Sequence, residues 1–156
     1  MKSVLFDFKT SKEPWFEEAK ALYLKKISAF CDFEIISLKT LKQSRDDLKA
    51  KKKFEEDELF KHLKSDDFII LFDEMGRDLT SIEFSDQIEK AASSGKKRLV
   101  YIIGGAYGVS ENIKVKAQLK ISLSKMIMNH LVAEAVVLEQ IYRAHTIQKN
   151  IPYHNI

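Results

Sequence analysis

The sequence predicts a single α/β domain over residues 1–156, with a largely parallel sheet and helices on both faces of that sheet. Short apolar runs alternate along the chain with longer amphipathic or charged stretches, which is the pattern of βαβ units. Two of the runs, Phe68–Phe72 and Leu99–Ile103, are continuously apolar, as central parallel strands buried on both faces should be. A chain of 156 residues, 45% of them hydrophobic, has room for one core.

The first half of the chain contains two predicted strands, each followed by a predicted helix. The first strand is Ser3–Phe8, and Ser11 as a candidate cap with Pro14 in the first turn indicates the helix after it. Phe33–Leu38 is the second strand. The charged stretch Leu41–Ser65 predicts a solvated helix. Apolar residues at helical spacing predict a core-facing stripe on the first helix: Trp15, Ala19, Leu22, Tyr23, Ile27 and Phe30.

The second half contains three further predicted strands. Phe68–Phe72 breaks into a predicted loop at Asp73–Asp78, and a helix capped by Ser81 extends to about residue 94. Leu99–Ile103 ends in the glycine-rich segment Gly104–Gly108. The remaining predicted elements are a short helix near Glu111–Ala117, a strand near Leu119–Leu123 and a long helix around Asn129–Lys149.

Composition excludes several classes of protein. The longest apolar runs are far shorter than the roughly 20 residues that cross a bilayer, so we expect a soluble, cytoplasmic protein with no membrane partner. Cys31 is the only cysteine and the histidine spacing matches no metal-ligand pattern, so we expect neither a disulfide nor a metal. The net charge of +3 is compatible with RNA binding but too small to indicate it, and a solvated helix face is the favoured interpretation of Lys49–Lys53.

Two segments after predicted strands are candidates for a ligand site. Open α/β sheets bind ligands at the carboxyl ends of their strands, where Phe72–Gly76 and Ile103–Gly108 would meet. The glycine spacing misses both phosphate-loop patterns, and a tight turn without a ligand is an equal alternative. The segment Ile121–His130 combines serines, a lysine and methionines that could wrap an adenine and a methionine moiety, although methionines filling the core are the simpler interpretation.

The last predicted helix is apolar around nearly its whole circumference, which predicts that a second copy of the chain covers it in a homodimer. Glu139 and Arg143 are spaced four residues apart and can form an ion pair. The tail beyond the helix carries Tyr153 and His154, which suit stacking on a splayed base and hydrogen bonding to its edge. A frayed chain end without function is the alternative for this tail.

Four motifs follow one another in the second half of the chain: Ile102–Gly108, Leu123–Met126 followed by His130, Leu138–Ala144 and Pro152–His154. In this order and spacing, and over nearly the whole chain in length and element order, the sequence resembles the ribosomal RNA large-subunit methyltransferase H family of the SPOUT class. The resemblance implies an α/β fold with a deep C-terminal trefoil knot, S-adenosylmethionine as cofactor, and a homodimer. It also implies N3 methylation of a pseudouridine in large-subunit (23S) ribosomal RNA, within the assembled ribosome.

The resemblance also implies which residues form the site. The implied cofactor residues are Phe72, Gly104, Leu123, Ser124, Lys125, Met126, Ile127 and Met128. The implied catalytic neighbourhood is His130, Arg143, Tyr153 and His154, with the tail of one subunit completing the site of the other. Family members commonly have Pro where this chain has Asn129 and Arg where it has Glu134, so contacts to RNA or cofactor near residue 134 should differ.

Alignment of N3 with the methyl group and exclusion of water would supply most of the rate acceleration, with no covalent intermediate. His154 or a water could assist loss of the N3 proton, because the sequence identifies no general base. Three alternatives remain at this stage: a SPOUT enzyme acting on transfer RNA, a catalytically silent ribosome- or RNA-binding module, and a small protein that binds nucleotide phosphates.

Overall fold

The computed structural model describes residues 1–8, 11–41, 47–105 and 107–155. Strands and helices alternate along this part of the chain, as the sequence predicts. They are β1 (Lys2–Phe8), α1 (Pro14–Ser28), β2 (Phe33–Leu38), α2 (Leu48–Phe60), β3 (Asp67–Asp78), α3 (Ser81–Ala92), β4 (Arg98–Ile103), α4 (Glu111–Lys116), β5 (Leu119–Ser122) and α5 (His130–Gln148).

The strands form one sheet in the order β2-β1-β4-β3-β5, and every pair of neighbours is parallel. One face of the sheet packs against α1, α3 and α5 through residues such as Ile27, Phe84 and Leu138. The other face packs against α2 and α4 through Leu59 and Ile113. The predicted α/β class, with a parallel sheet between helical layers, is therefore confirmed. The strand order does not decide the trefoil knot, which stays a prediction.

β3 is longer than predicted, because it continues through the polar segment that was expected to be a loop. Phe72 pairs with Ile121 of β5, and Arg77 pairs with the same residue after an irregularity in the register. Strand pairing uses backbone groups, so polar side chains at a sheet edge do not prevent it. Gly76 allows this close approach, since a Cβ there would lie 2.6 Å from the backbone of Ile121.

Two helix starts and one helix face also differ from the prediction. Glu13, without a capping bond from its side chain, precedes α1 in place of the expected Ser11. Thr80 rather than Ser81 caps α3, through a capping box with Glu83. On α1 the core-facing side chains include Phe16, whereas the predicted Trp15 and Leu22 are 47% and 49% exposed. The core-facing side of α1 therefore differs from the predicted stripe, with Phe16 rather than Trp15 against the core.

The predicted helix within Leu41–Ser65 is confirmed in its central part as α2. Residues 42–46 of that prediction lie outside the described residues. None of the helices in the described part of the chain is long and apolar enough to span a bilayer.

Candidate functional site

A cleft of about 670 Å³ lies at the carboxyl ends of β3, β4 and β5. This is the edge of a parallel sheet where α/β proteins bind ligands, and the volume is typical of a small-molecule site. Seven of the eight residues expected to hold a cofactor line this cleft: Phe72, Gly104, Leu123, Ser124, Met126, Ile127 and Met128. The remaining one, Lys125, has a side chain 88% exposed that lies 4.0 Å from the Asp78 carboxylate instead.

The glycine turn after β4 forms the floor of the cleft. A Cβ at Gly104 would lie 2.6 Å from Cγ1 of Val109, so a side chain there would displace Val109 and occupy the cleft. The turn closes with a hydrogen bond of 3.0 Å from the amide of Gly108 to the carbonyl of Gly105. Gly108 has φ +79°, a left-handed conformation that favours glycine. The turn thus needs glycine at both positions, at Gly104 for the close approach of Val109 and at Gly108 for the backbone conformation.

The loop between β5 and α5 forms the opposite wall and holds its shape through short-range hydrogen bonds. The Ser122 hydroxyl donates to the Ser124 carbonyl at 3.2 Å, and the Met126 amide donates to the Ser124 hydroxyl at 2.9 Å. Met126 and Ile127 are 79% and 86% exposed at the rim. Asn129 caps α5 by accepting from the Leu131 amide at 2.9 Å.

Several further residues of the cleft were not named individually from the sequence, although three of them lie in the predicted segments Phe72–Gly76 and Ile103–Gly108. Asp73 and Glu74 enter through the extension of β3, and Tyr107 and Lys114 through the segment after the glycine turn. Ala133 contributes from the first turn of α5. Adjacency to Phe72 and Gly104 could have indicated the first three, whereas Lys114 and Ala133 depend on how α4 and α5 pack.

His130 begins α5 and lines the cleft. Its Nε2 is buried and has no hydrogen-bond partner among the described residues. Burial, and then the nearby charge of Lys51, lower the pKa of His130 below its usual value. The imidazole is therefore neutral at neutral pH, and a neutral ring keeps one nitrogen that can accept a hydrogen bond or a proton.

The other three predicted catalytic residues lie together near the C-terminal end of α5. Glu139 holds this cluster together, because it accepts from Arg143 Nη2 at 2.6 Å and from the Tyr153 hydroxyl at 2.9 Å. The Arg143 guanidinium lies 4.7 Å from the centre of the Tyr153 ring. The expected Glu139–Arg143 ion pair is confirmed. The tail folds back onto α5 rather than fraying.

The contact between Arg143 and His154 determines the tautomer of a neutral His154. Arg143 Nη1 lies 3.0 Å from His154 Nδ1. Arginine has no acceptor, so Nδ1 must accept and the ring proton of neutral His154 is on Nε2. In that state Nε2 donates a hydrogen bond and cannot take up a proton.

The structure does not bring the four predicted catalytic residues together within one chain. His130 and Arg143 are separated by 13 positions on α5, which corresponds to about 20 Å along the helix axis. His130 is at the cleft, whereas the cluster of Arg143, Tyr153 and His154 is at the far end of the helix. A complete site of these four residues therefore needs a tail from another copy of the chain.

Glu134 lies inside the protein and not in the cleft. It is 4% exposed and lies beside Asp7 at the end of β1, which is 6% exposed. Burial and then the neighbouring Asp7 raise the pKa of Glu134 to about 9. Asp7 Oδ1 and Glu134 Oε1 have no other partner among the described residues, and a proton on Glu134 would let it donate to Asp7. The departure at residue 134 thus changes the interior beneath α5 rather than the lining of the cleft.

We expect Glu134→Gln to make stability less sensitive to alkaline pH. A folded-state pKa raised to about 9 means that wild-type stability is fully present below the unfolded pKa near 4.5 and is lost as pH rises through 9. The loss is at most about 1.4 kcal/mol per pH unit. Glutamine keeps a donor but cannot ionise, so urea unfolding between pH 6 and 9 should show a shallower decline.

Glu89→Gln is the matched control, because Glu89 is exposed on α3. It should leave the pH dependence of unfolding as in the wild type. Equal slopes for wild type and Glu134→Gln would show that Glu134 is not protonated in the folded state.

Comparison with known proteins adds independent findings. The family model described as "Predicted SPOUT methyltransferase" matches residues 1–154. The ribosomal RNA large subunit methyltransferase H of Bdellovibrio bacteriovorus is 52% identical over 156 residues, which cover 100% of each chain. The protein of the same name from Parabacteroides distasonis is 39% identical over 142 residues, 90% of each chain.

A solved structure is similar in fold. It is described as a probable methylase family protein from Haemophilus influenzae Rd KW20, and it matches with a TM-score of 0.53 at 13% sequence identity. The match covers 99% of this chain and 70% of the other. At this identity the likeness shows the fold alone.

Proposed function

Because this chain belongs to the SPOUT methyltransferases, in the ribosomal RNA large subunit methyltransferase H family, we propose that it methylates N3 of a pseudouridine in large-subunit (23S) ribosomal RNA. S-adenosylmethionine is the proposed methyl donor, and residues 1–156 act as one methyltransferase domain in the cytoplasm. The observation that carries the proposal is the cleft over Gly104, which brings two of the family's motifs, Ile102–Gly108 and the segment from Leu123 to His130, together at the carboxyl ends of the strands.

The lining of the cleft fits the proposed cofactor. The floor at Gly104 has no side chain to keep a ligand from the backbone, and Leu123 and Met128 offer apolar contacts for an adenine ring. The carboxylates of Asp73 and Glu74 complement the positive charges of a sulfonium and an ammonium group. When bound, S-adenosylmethionine supplies a methyl group activated by its positively charged sulfur.

The remaining residues support a division of roles around the target base. His130 is neutral and has a free nitrogen, so it is the better candidate to accept the N3 proton. His154 presents Nε2–H and is suited to donate to a carbonyl of the base, while Arg143 is held in place by Glu139. Tyr153 offers a ring for stacking.

A homodimer would bring His130 of one subunit together with the tail cluster of Arg143, Tyr153 and His154 of the other. Val132 is 42% exposed on α5, next to the exposed Met126 and Ile127, so apolar surface is left open where α5 begins. In an antiparallel, isologous pairing of two α5 helices, the first turn of each lies beside the last turn of its partner. The tail of one subunit would then reach the cleft of the other.

Incubation with isotopically labelled S-adenosylmethionine tests the proposal. We expect label in the large-subunit RNA of ribosomes that lack the modification, recovered as 3-methylpseudouridine by mass spectrometry of nucleosides. Transfer RNA is the comparison substrate, and label there instead would favour the transfer RNA alternative. If the protein binds the cofactor but labels neither RNA, neither ribosomal RNA nor transfer RNA is its substrate. If it does not bind the cofactor, a catalytically silent binding module is favoured.

A further inference from the structure

Helix α2 is fixed against the glycine turn by two buried glutamates. Glu55 and Glu56 are 3% and 2% exposed. Glu55 accepts from the Thr40 hydroxyl at 2.7 Å, and a Cβ at Gly105 would lie 3.1 Å from Glu55 Oε1. Glu56 accepts from the Ser110 hydroxyl at 2.7 Å. The side of α2 that carries these residues therefore has a defined position beside the cleft.

Lys51 and Lys52 precede these glutamates by one helical turn, so they lie on the same side of α2. Lys51 Nζ lies 5.5 Å from the centre of the Tyr107 ring. Tyr107 lines the cleft and is 44% exposed. The charge of Lys51 also acts on His130, at the other side of the cleft, after burial as a cause of its lowered pKa. The two lysines and Tyr107 thus form a surface at the cleft mouth, which we call the Lys51 surface.

Both lysines of this surface act on the buried Glu55, where their charges partly offset the rise in pKa that burial causes. Two other lysines of the same region form ion pairs. Lys53 pairs with Glu56 at 2.8 Å and Asp57 at 3.1 Å, and Lys61 pairs with Glu58 at 2.7 Å. No ion pair involves Lys51 or Lys52 in the part of the chain that the structure describes. Two cations beside an exposed aromatic ring are the combination that binds single-stranded nucleic acid, through phosphates and a stacked base.

We propose that the Lys51 surface binds the RNA strand next to the target nucleotide, with Lys51 and Lys52 on its phosphates and a flanking base on Tyr107. This inference rests on the proposed function, since it names where the RNA enters. It revises the interpretation of the lysine cluster as a solvated helix face, because packing of α2 places Lys51 beside Tyr107 at the cleft, with Lys52 next to it in the chain. The fixed position of α2 means that little of its conformational freedom is lost on binding.

Salt-dependent binding of purified large ribosomal subunits tests this inference. Lys51→Ala/Lys52→Ala should bind about 10-fold more weakly than wild type at low salt. Its plot of log affinity against log salt should be less steep by about 1.5, since each lost phosphate contact contributes about 0.7–0.9 to the slope. The affinity for S-adenosylmethionine should stay within about twofold of wild type, because neither lysine lines the cleft.

Lys96→Ala/Lys97→Ala is the matched control. It removes two neighbouring lysines just before β4, at the amino end of this strand, whereas the cleft lies at the carboxyl ends of the strands. Its RNA affinity and salt slope should equal those of the wild type. An unchanged slope for Lys51→Ala/Lys52→Ala would overturn the inference, and so would equal weakening by the control.

The binding measurement separates this inference from the proposed function. It needs no methyl transfer, so weaker binding of Lys51→Ala/Lys52→Ala supports the Lys51 surface even if the wild type transfers no methyl group. Methyl transfer by the wild type with unchanged binding of the variant overturns the surface and leaves the function standing. A wild type that binds no RNA overturns both.

Discussion

Gly104→Trp is expected to abolish S-adenosylmethionine binding, with the affinity falling by more than about 100-fold. The Cβ of the new residue would displace Val109, whose Cγ1 lies 2.6 Å from its position. The indole would then occupy a large part of the cleft of about 670 Å³. Isothermal titration of S-adenosylmethionine and S-adenosylhomocysteine into wild type and variant measures the effect.

Two further variants distinguish a filled cleft from a damaged fold. Ala133→Phe fills the same cleft from α5, at a half-buried helical position that tolerates a larger side chain. It should weaken binding in the same direction while its thermal unfolding stays cooperative. Val115→Trp adds the same indole at a position 82% exposed on α4, outside the cleft, and should bind as the wild type does. Full affinity in both Gly104→Trp and Ala133→Phe would place the cofactor elsewhere.

Arg143→Ala and Gly104→Trp, each inactive alone, are expected to recover activity together as mixed dimers. Arg143→Ala should lower kcat by about 100-fold or more without weakening cofactor binding, because its proposed partner is the target base and it is not among the residues that line the cleft. In a mixed dimer the intact cleft of one subunit meets the intact tail of the other. Random mixing should therefore restore about a quarter of the wild-type activity.

Arg143→Ala mixed with His154→Ala is the control for this experiment. Both substitutions alter the tail cluster, so neither site of a mixed dimer would be complete and activity should stay low. Failure of Arg143→Ala and Gly104→Trp to complement each other, in dimers shown to have mixed by mass spectrometry, would mean that each site uses its own tail.

Most of the fold could be predicted from the sequence because its signals are local. Buried parallel strands such as Phe68–Phe72 and Leu99–Ile103 are visible in the sequence as apolar runs, and their positions are confirmed within one residue at their amino ends. The extension of β3 could not be predicted, since residues 73–78 are polar and pair through their backbone with a strand over 40 positions away. The cap residues of α1 and α3 were also not predicted correctly. In the sequence, a neighbouring residue such as Ser81 is as suitable for a cap as the residue that takes the position in the structure.

The candidate site divides in the same way. By itself, the sequence determined the strand-end segments that line the cleft, because glycines and a methionine-rich loop after buried strands are visible without a structure. Only the tertiary structure decided that Glu134 is buried against Asp7 and that Lys51 lies beside Tyr107 at the cleft. These facts depend on which face of each helix packs against the sheet. That choice is made by contacts between distant residues, and no local pattern in the chain records it.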